Sequence, residues 1–266
     1  MTLDTLFSLK GKTALVTGGS RGIGLMIARG FVAAGAKTYI SSRKASACEQ
    51  AAAELSKVGV CLPLAYDLGE TSQVKLLADA MKARETKLDI LVNNAGATWA
   101  QPIDQYTEDG WDKVMNVNLK AVFLLTQALL PLLRSAATSD DPARIVNIGS
   151  IDGILQPSYE SYAYSASKAA VHHLTHNLAK HLAKDNINVN AIAPGPFETK
   201  MLAPVLATKR QQMEAAVPRQ RLGGEDDIIG AAIFYCSRAS AFVTGTVLPV
   251  DGGITAAAYM TAQTAS

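Results

Sequence analysis

Residues 13–24 read TALVTGGSRGIG, a short apolar run, a glycine-rich turn and the start of a helical pattern. Ile23, Ile27, Phe31 and Ala34 then recur at helical spacing, and Gly35 supplies a stop. A second apolar run follows at once, AKTYISS at 36–42. Strand, crossover helix and strand make a βαβ unit. Its first turn is where backbone can approach a pyrophosphate and where a helix N-terminus favours anions. Gly18, Gly22 and Gly24 follow a GxxxGxG spacing, not the GxGxxG of the best-known dinucleotide fingerprint. Alone, these glycines could also serve a turn that needs only unusual backbone angles.

The pattern repeats outward from this unit. Apolar runs without strict alternation recur at 88–94 (LDILVNN), 143–150 (ARIVNIGS), 187–194 (INVNAIAP) and 245–253 (GTVLPVDGG). Such runs suit strands buried on both faces. Helical stretches are expected near 44–58, 71–86, 108–136, 162–184 and 225–236, and no linker, repeat or low-complexity tract divides the chain. The expectation is an α/β fold: one domain over 1–266, a Rossmann-type doubly wound parallel sheet of about seven strands with helices on both faces.

Composition narrows the function. With 48% hydrophobic and 18% charged residues, the 266-residue chain can bury a sizeable core. A net charge of +2, with Lys and Arg spread along the chain, does not point to nucleic acid. Cys48, Cys61 and Cys236 are an odd number with no CxxC spacing, and read as free thiols of a reducing compartment. The start, MTLDTLFSLKGK, has no basic-then-apolar leader, and Gln127 and Pro131 interrupt AVFLLTQALLPLLR short of the roughly 20 residues of a span. These features predict a soluble, cytoplasmic protein with no membrane partner.

Two further fragments carry chemistry. NNAG, 93–96, ends the strand read at 88–94, on the sheet edge where α/β proteins bind ligands, although an Asn-rich turn reads the same way. SYESYAYSASKAA, 158–170, crowds three tyrosines ahead of a lysine. Tyr164 and Lys168 are four apart, so on a helix they share a face and the ammonium can stabilise a phenolate. Bringing a phenol from about 10 toward neutrality takes roughly 3 pKa units, or about 4 kcal/mol, within reach of one sheltered ammonium. Tyr159 and Tyr162 have alanines at that offset, and are read as a site wall and as packing where the helix begins. The histidines 172, 173, 176 and 181 share one helix; HHLTH lacks the Glu of HExxH, so no metal is expected and they are placed on its polar side or in a subunit contact.

TGGSRGIG, NNAG, IGS followed about a dozen residues later by YSASK, and PGPFET occur in the order and spacing of the short-chain dehydrogenase/reductase family, which almost the whole chain resembles. The resemblance implies a catalytic tetrad. Tyr164 is the general acid, Lys168 lowers its pKa and holds the nicotinamide ribose, Ser150 fixes the substrate carbonyl, and Asn118 bends its helix and anchors a relay water. By themselves Ser150 could cap a turn and Asn118 could be a satisfied core amide. The resemblance also implies cofactor contacts from Gly18, Ser20, Arg21, Gly22, Ile23 and Gly24, from Ser42 and Arg43, from Asp67 and Leu68, and from Asn94, Ala95 and Gly96. Tyr164, Lys168, Pro194, Gly195, Phe197 and Thr199 complete that set, the last four closing over the nicotinamide.

NAD-preferring sites usually place an acid after the second strand, whereas a 2'-phosphate needs positive charge. Here Ser42 and Arg43 stand there, with Arg21 in the glycine turn, so NADP(H) is expected. A mobile substrate lid is expected around 197–222, including Met201, Leu202, Pro204, Val205 and Leu206, with Trp99, Ile151, Ile154, Leu155 and Tyr159 lining the site. That lining suits an apolar or bulky ketone. Within the family the chain is most similar in look to 3-oxoacyl-thioester reductases of the rhamnolipid-linked type, and two long helices and the last strand resemble those that build homotetramers. NADPH-dependent ketone reduction is the leading expectation; alcohol oxidation with NADP and a non-catalytic NADPH sensor stay open.

Overall fold

The computed structural model describes residues 2–157, 159–199 and 202–261. A short helix, α1 (Leu3–Phe7), precedes the βαβ unit of β1 (Thr13–Thr17), α2 (Gly22–Ala33) and β2 (Lys37–Ser42). The chain continues through α3 (Ala45–Leu55), β3 (Cys61–Ala65), α4 (Thr71–Lys82), β4 (Ile90–Asn93), α5 (Glu108–Met115), α6 (Ala121–Ala136) and β5 (Ala143–Ile148). It ends with α7 (Tyr162–Leu182), β6 (Ile187–Pro194), α8 (Ala203–Ala216), α9 (Glu225–Cys236), β7 (Val247–Val250) and α10 (Ile254–Thr261). All strand pairings are parallel, in the order β3-β2-β1-β4-β5-β6-β7. The order reverses between β1 and β4, which opens a crevice at the carboxyl ends of those strands.

Every residue of β1, β4, β5 and β6 is buried. Side chains alternate between faces, so an unbroken apolar run feeds two layers at once. Val16, Ile40, Val92 and Val146 pack with Ile27 and Phe31 of α2 and Ile228 of α9. Leu15, Leu91, Ile145 and Val189 pack with Leu77 of α4, Leu125 and Leu129 of α6 and Ala179 of α7. This is why the runs lacked the two-residue alternation of a half-exposed strand.

Three features depart from the expected layout. Strand β3, CLPLA, was not among the six apolar runs; it lies at the sheet edge, half open to solvent, where Pro63 can be accommodated without its missing N–H. The helix expected over 108–136 is two helices joined by a five-residue π-turn, Asn116–Lys120, that carries Asn118. By length and composition 108–136 would suit a bilayer, but Val114, Ala121, Leu125, Leu129, Leu132 and Leu133 are buried in the fold. Around the expected lid, α8 has no buried side chain among its described residues and its helical geometry breaks at Lys209. Met201 and the side chain of Pro204 lie outside the described residues.

Candidate active site

A clamp between the ends of β1 and β4 shapes the crevice. Thr17 Oγ1 accepts from the backbone N–H groups of Asn94 (2.9 Å) and Ala95 (3.0 Å), and the Asn94 side-chain amide donates to Thr17 O (2.8 Å) and Gly18 O (3.3 Å). Gly24 lies against this clamp: a methyl group there would collide with Asn94 Nδ2 and with the Gly18 carbonyl oxygen. Gly18 and Gly22 hold φ of +67° and +55°. Glycine is required here by close approach and by backbone angle together. Asn94 spends its amide hydrogens on the turn, so its role is to hold that turn in shape.

The crevice fits a phosphate-bearing dinucleotide. Arg21 occupies the N-cap of α2 without a side-chain cap, which leaves N–H groups of the first turn, beginning with Gly22 and Ile23, available to an anion. Ser20 sits partly exposed just before them. The Ser41 hydroxyl is buried at the end of β2 with no partner among the described residues. Arg21 and Arg43 are exposed and in no ion pair among the described residues, and the Ser42 hydroxyl turns back to Lys44 O (3.3 Å). Asp67, after β3, accepts the backbone N–H of Gly69 (3.0 Å), and Leu68 beside it is buried in the core. Thr199 is brought over the glycine turn, its Cγ2 3.4 Å from where a Gly22 methyl would lie.

The segment expected to close over the nicotinamide is placed unevenly. Pro194 ends β6, and Gly195 donates its N–H to Val250 O (3.0 Å) where β6 and β7 converge. Phe197 corrects the expectation for its side chain: the ring is buried and stacks on Gly223, so it serves the core. Trp99 is likewise drawn away from the lining role, packed on Gly110 of α5 beneath the Lys113 ammonium, 4.9 Å from its ring centroid.

Ser150, Tyr164 and Lys168 do converge. Ser150 caps the 3₁₀ turn Ile151–Gly153, its Oγ accepting the Asp152 N–H (3.1 Å), and its hydroxyl is near enough to the Tyr164 phenol to draw its pKa down. Lys168, buried on α7, donates Nζ to Ile148 O (2.7 Å) and lies 5.6 Å from the Tyr164 ring centroid. Gly96 leaves room nearby, since a methyl there would be 3.8 Å from Lys168 Nζ and 3.4 Å from Asn118 Oδ1. Asn118 accepts from Ala97 N (2.8 Å) and donates to Ala97 O (3.0 Å) and Ser167 Oγ (3.0 Å). Its side chain is a satisfied buried amide that ties the π-turn to α7.

The electrostatics correct one expectation. Burial pushes the Tyr164 phenol up to about 12, partly offset by the Ser150 hydroxyl and reinforced by the Asp152 charge. Burial also pushes Lys168 down to about 8, with Asp152 opposing. Desolvation is the largest influence on the phenol, which is therefore a protonated acid and not one near neutrality.

Two residues escaped the sequence reading. Asp152 accepts a hydrogen bond from the Tyr159 hydroxyl, and its charge acts on Tyr164 and Lys168. Its signal was an acid inside the apolar run SIDGIL. His172 is not on the polar side with His173, His176 and His181, which are exposed; it is buried, wedged against Gly149 and Gly153 under the Ser150 turn. Burial first, then the Lys168 charge, pushes it down to about 4. Its position four residues past Lys168, on the buried stripe with Val171 and Thr175, could have revealed it. Tyr162 packs as expected, edge-on to Tyr106 with centroids 5.6 Å apart.

A protonated phenol beside a hydroxyl and a lysine, facing an anion-binding turn at a sheet switch point, is the equipment of a nucleotide-dependent oxidoreductase. The chain belongs to the short chain dehydrogenase family, which it matches over residues 12–210. It is 46% identical, over 93% of its length and 97% of the relative's, to the rhamnolipids biosynthesis 3-oxoacyl-[acyl-carrier-protein] reductase of Pseudomonas aeruginosa. Gluconate 5-dehydrogenase of Gluconobacter oxydans is 35% identical, over 96% of this chain and 99% of that one. The solved Pseudomonas aeruginosa RhlG/NADP active-site complex superposes with a TM-score of 0.92 at 44% identity, covering 94% of this chain and 99% of that chain.

Proposed function

We propose that this enzyme reduces a ketone to a secondary alcohol using NADPH, the ketone being a 3-oxoacyl thioester or another apolar ketone. The observation that carries this reading is the meeting of Ser150, Tyr164 and Lys168 at the crevice, with a phenol that holds its proton. Bound NADPH supplies the hydride. Because Ser150 Oγ already accepts the Asp152 N–H, its hydroxyl hydrogen is the part free to hold a carbonyl oxygen. Tyr164 gives its proton to the oxygen as negative charge develops there. Lys168, with a pKa near 8, is mostly protonated at pH 7 and steadies the phenolate that remains. Asn118 keeps α7 registered against the 94–97 loop through Ala97 and Ser167.

Arg21 and Arg43, without an acid at 42–44, support NADPH over NADH. The partly exposed Ile151, Ile154 and Leu155 support an apolar substrate, as does likeness to the Pseudomonas 3-oxoacyl reductase. The 197–222 segment is the proposed cover of the site, and a homotetramer the proposed assembly. The test is a panel of ketones and 3-oxoacyl thioesters assayed with NADPH and with NADH. Turnover of apolar ketones with NADPH is expected; activity confined to NADH, or to free sugar acids, would overturn the reading.

A further inference from the structure

The reductase reading gives no task to the carboxylate that follows Ser150 on its turn. Asp152 stands two residues past Ser150, and its backbone N–H is bonded to Ser150 Oγ (3.1 Å), so its position is tied to the group that would hold the carbonyl. Its carboxylate accepts the hydroxyl of the half-exposed Tyr159, a bond that with the Lys168 charge opposes the upward push of burial on the carboxyl. The Asp152 charge acts on the Tyr164 phenol, where the proton would leave. From residue 149 to residue 167, the stretch that forms this turn and begins α7, the chain carries Asp152 and Glu160 and no Lys or Arg. Lys168 has its Nζ committed to Ile148 O, and His172, behind the turn, is neutral. A substrate approaching Ser150 and Tyr164 thus meets the Asp152 carboxylate on the Ser150 turn as well as the buried Lys168 ammonium that it opposes. Family members act on ketones of both kinds, neutral 3-oxoacyl groups and carboxylate-bearing sugar acids, so the Asp152 charge can sort them.

We propose that Asp152, held by Ser150 and Tyr159, is a specificity-determining residue that turns away ketones bearing a carboxylate near the carbonyl and admits neutral ones. The inference rests on the reductase reading and narrows its substrate class. A substrate carboxylate held beside Asp152 carries a like-charge penalty that the neutral ester lacks, in the bound ground state and in the transition state, so the discrimination falls on kcat/KM.

The test compares ethyl 3-oxobutanoate with 3-oxobutanoate, NADPH saturating, in the wild type and in Asp152→Asn. Asparagine keeps the size and can still accept the Tyr159 hydroxyl. The ester-to-acid ratio of kcat/KM should fall at least about tenfold in the variant, through a gain on the acid. An unchanged ratio in an active variant overturns the inference. Should Asp152→Asn fail to fold, the wild type decides: screening by salt should lower its ester-to-acid ratio between about 0.01 M and 1 M, and a flat ratio overturns it. A wild type that reduces no ketone with NADPH removes the reductase reading and this inference together, whereas turnover with an unchanged ratio removes only the inference.

Discussion

Gly24→Ala and Gly230→Ala are the same chemical change in two helices, and the structure gives them opposite signs. In a helix, alanine is favoured over glycine by roughly 0.5–1 kcal/mol. Gly230, exposed on α9, has nothing within 4 Å of an added methyl, so Gly230→Ala should raise stability by about that amount. At Gly24 the methyl would collide with Asn94 Nδ2 and Gly18 O and lie 2.9 Å from the Gly18 carbonyl carbon. Backbone cannot yield as a flexible side chain can, so the Asn94 clamp must open. Losing its bonds to Thr17 O and Gly18 O costs about 0.5–1.5 kcal/mol each, and overpacking adds about 1–3 kcal/mol. The clash exceeds the helical gain, and Gly24→Ala should destabilise by about 1–5 kcal/mol. Urea unfolding of both variants at one protein concentration, with NADPH titration followed by fluorescence, measures this. Gly24→Ala should also weaken NADPH, because the clamp shapes the turn. A Gly24→Ala protein as stable as Gly230→Ala would refute the reasoning.

Tyr164→Phe should lower kcat by about 10²–10⁴ while leaving the NADPH dissociation constant within a few-fold, since the glycine turn is untouched; unchanged turnover removes Tyr164 as the acid. Arg43→Asp should move the NADPH-to-NADH ratio of kcat/KM toward NADH by at least about tenfold, an opposed charge meeting the 2'-phosphate. For His172 the folded pKa, about 4, lies below the unfolded value near 6.5, so the unfolded chain binds more protons between them. Stability should be full above about pH 6.5 and fall as the pH drops toward 4, with a slope that His172→Asn flattens; parallel slopes for the two proteins would refute it. Solution mass should be four times the 28.0 kDa chain, and a monomer at working concentration would exclude the tetramer.

What was legible in the sequence was what local spacing governs. The apolar runs announced strands buried on both faces, and six of the seven strands fall within them. A spacing of four from Tyr164 to Lys168 puts them on one helical face, and the structure keeps them there, 5.6 Å from amine to ring centroid. Gly18, Gly22 and Gly24 marked the turn, and close contacts at Gly18 and Gly24, with positive φ at Gly18 and Gly22, explain why nothing larger fits. Strand β3 was illegible because an edge strand needs neither a continuous apolar run nor an N–H at every position, and Pro63 disguised it. The break at Asn116–Lys120 left no mark in the periodicity, which a π-turn barely disturbs, and only the family resemblance, through a bend at Asn118, pointed to it.

The sequence by itself determined the doubly wound sheet, and it marked the glycine turn and the tyrosine four residues ahead of Lys168, all matters of period and spacing within one or two elements. Tertiary structure decided the charges. That the Tyr164 phenol is pushed up to about 12 instead of drawn toward neutrality, that Asp152 takes the Tyr159 hydroxyl, and that His172 is neutral beneath the Ser150 turn depend on burial and on neighbours brought in from β5, the 149–153 turn and α7. Desolvation is a property of everything packed around a group, and no pattern along the chain contains it.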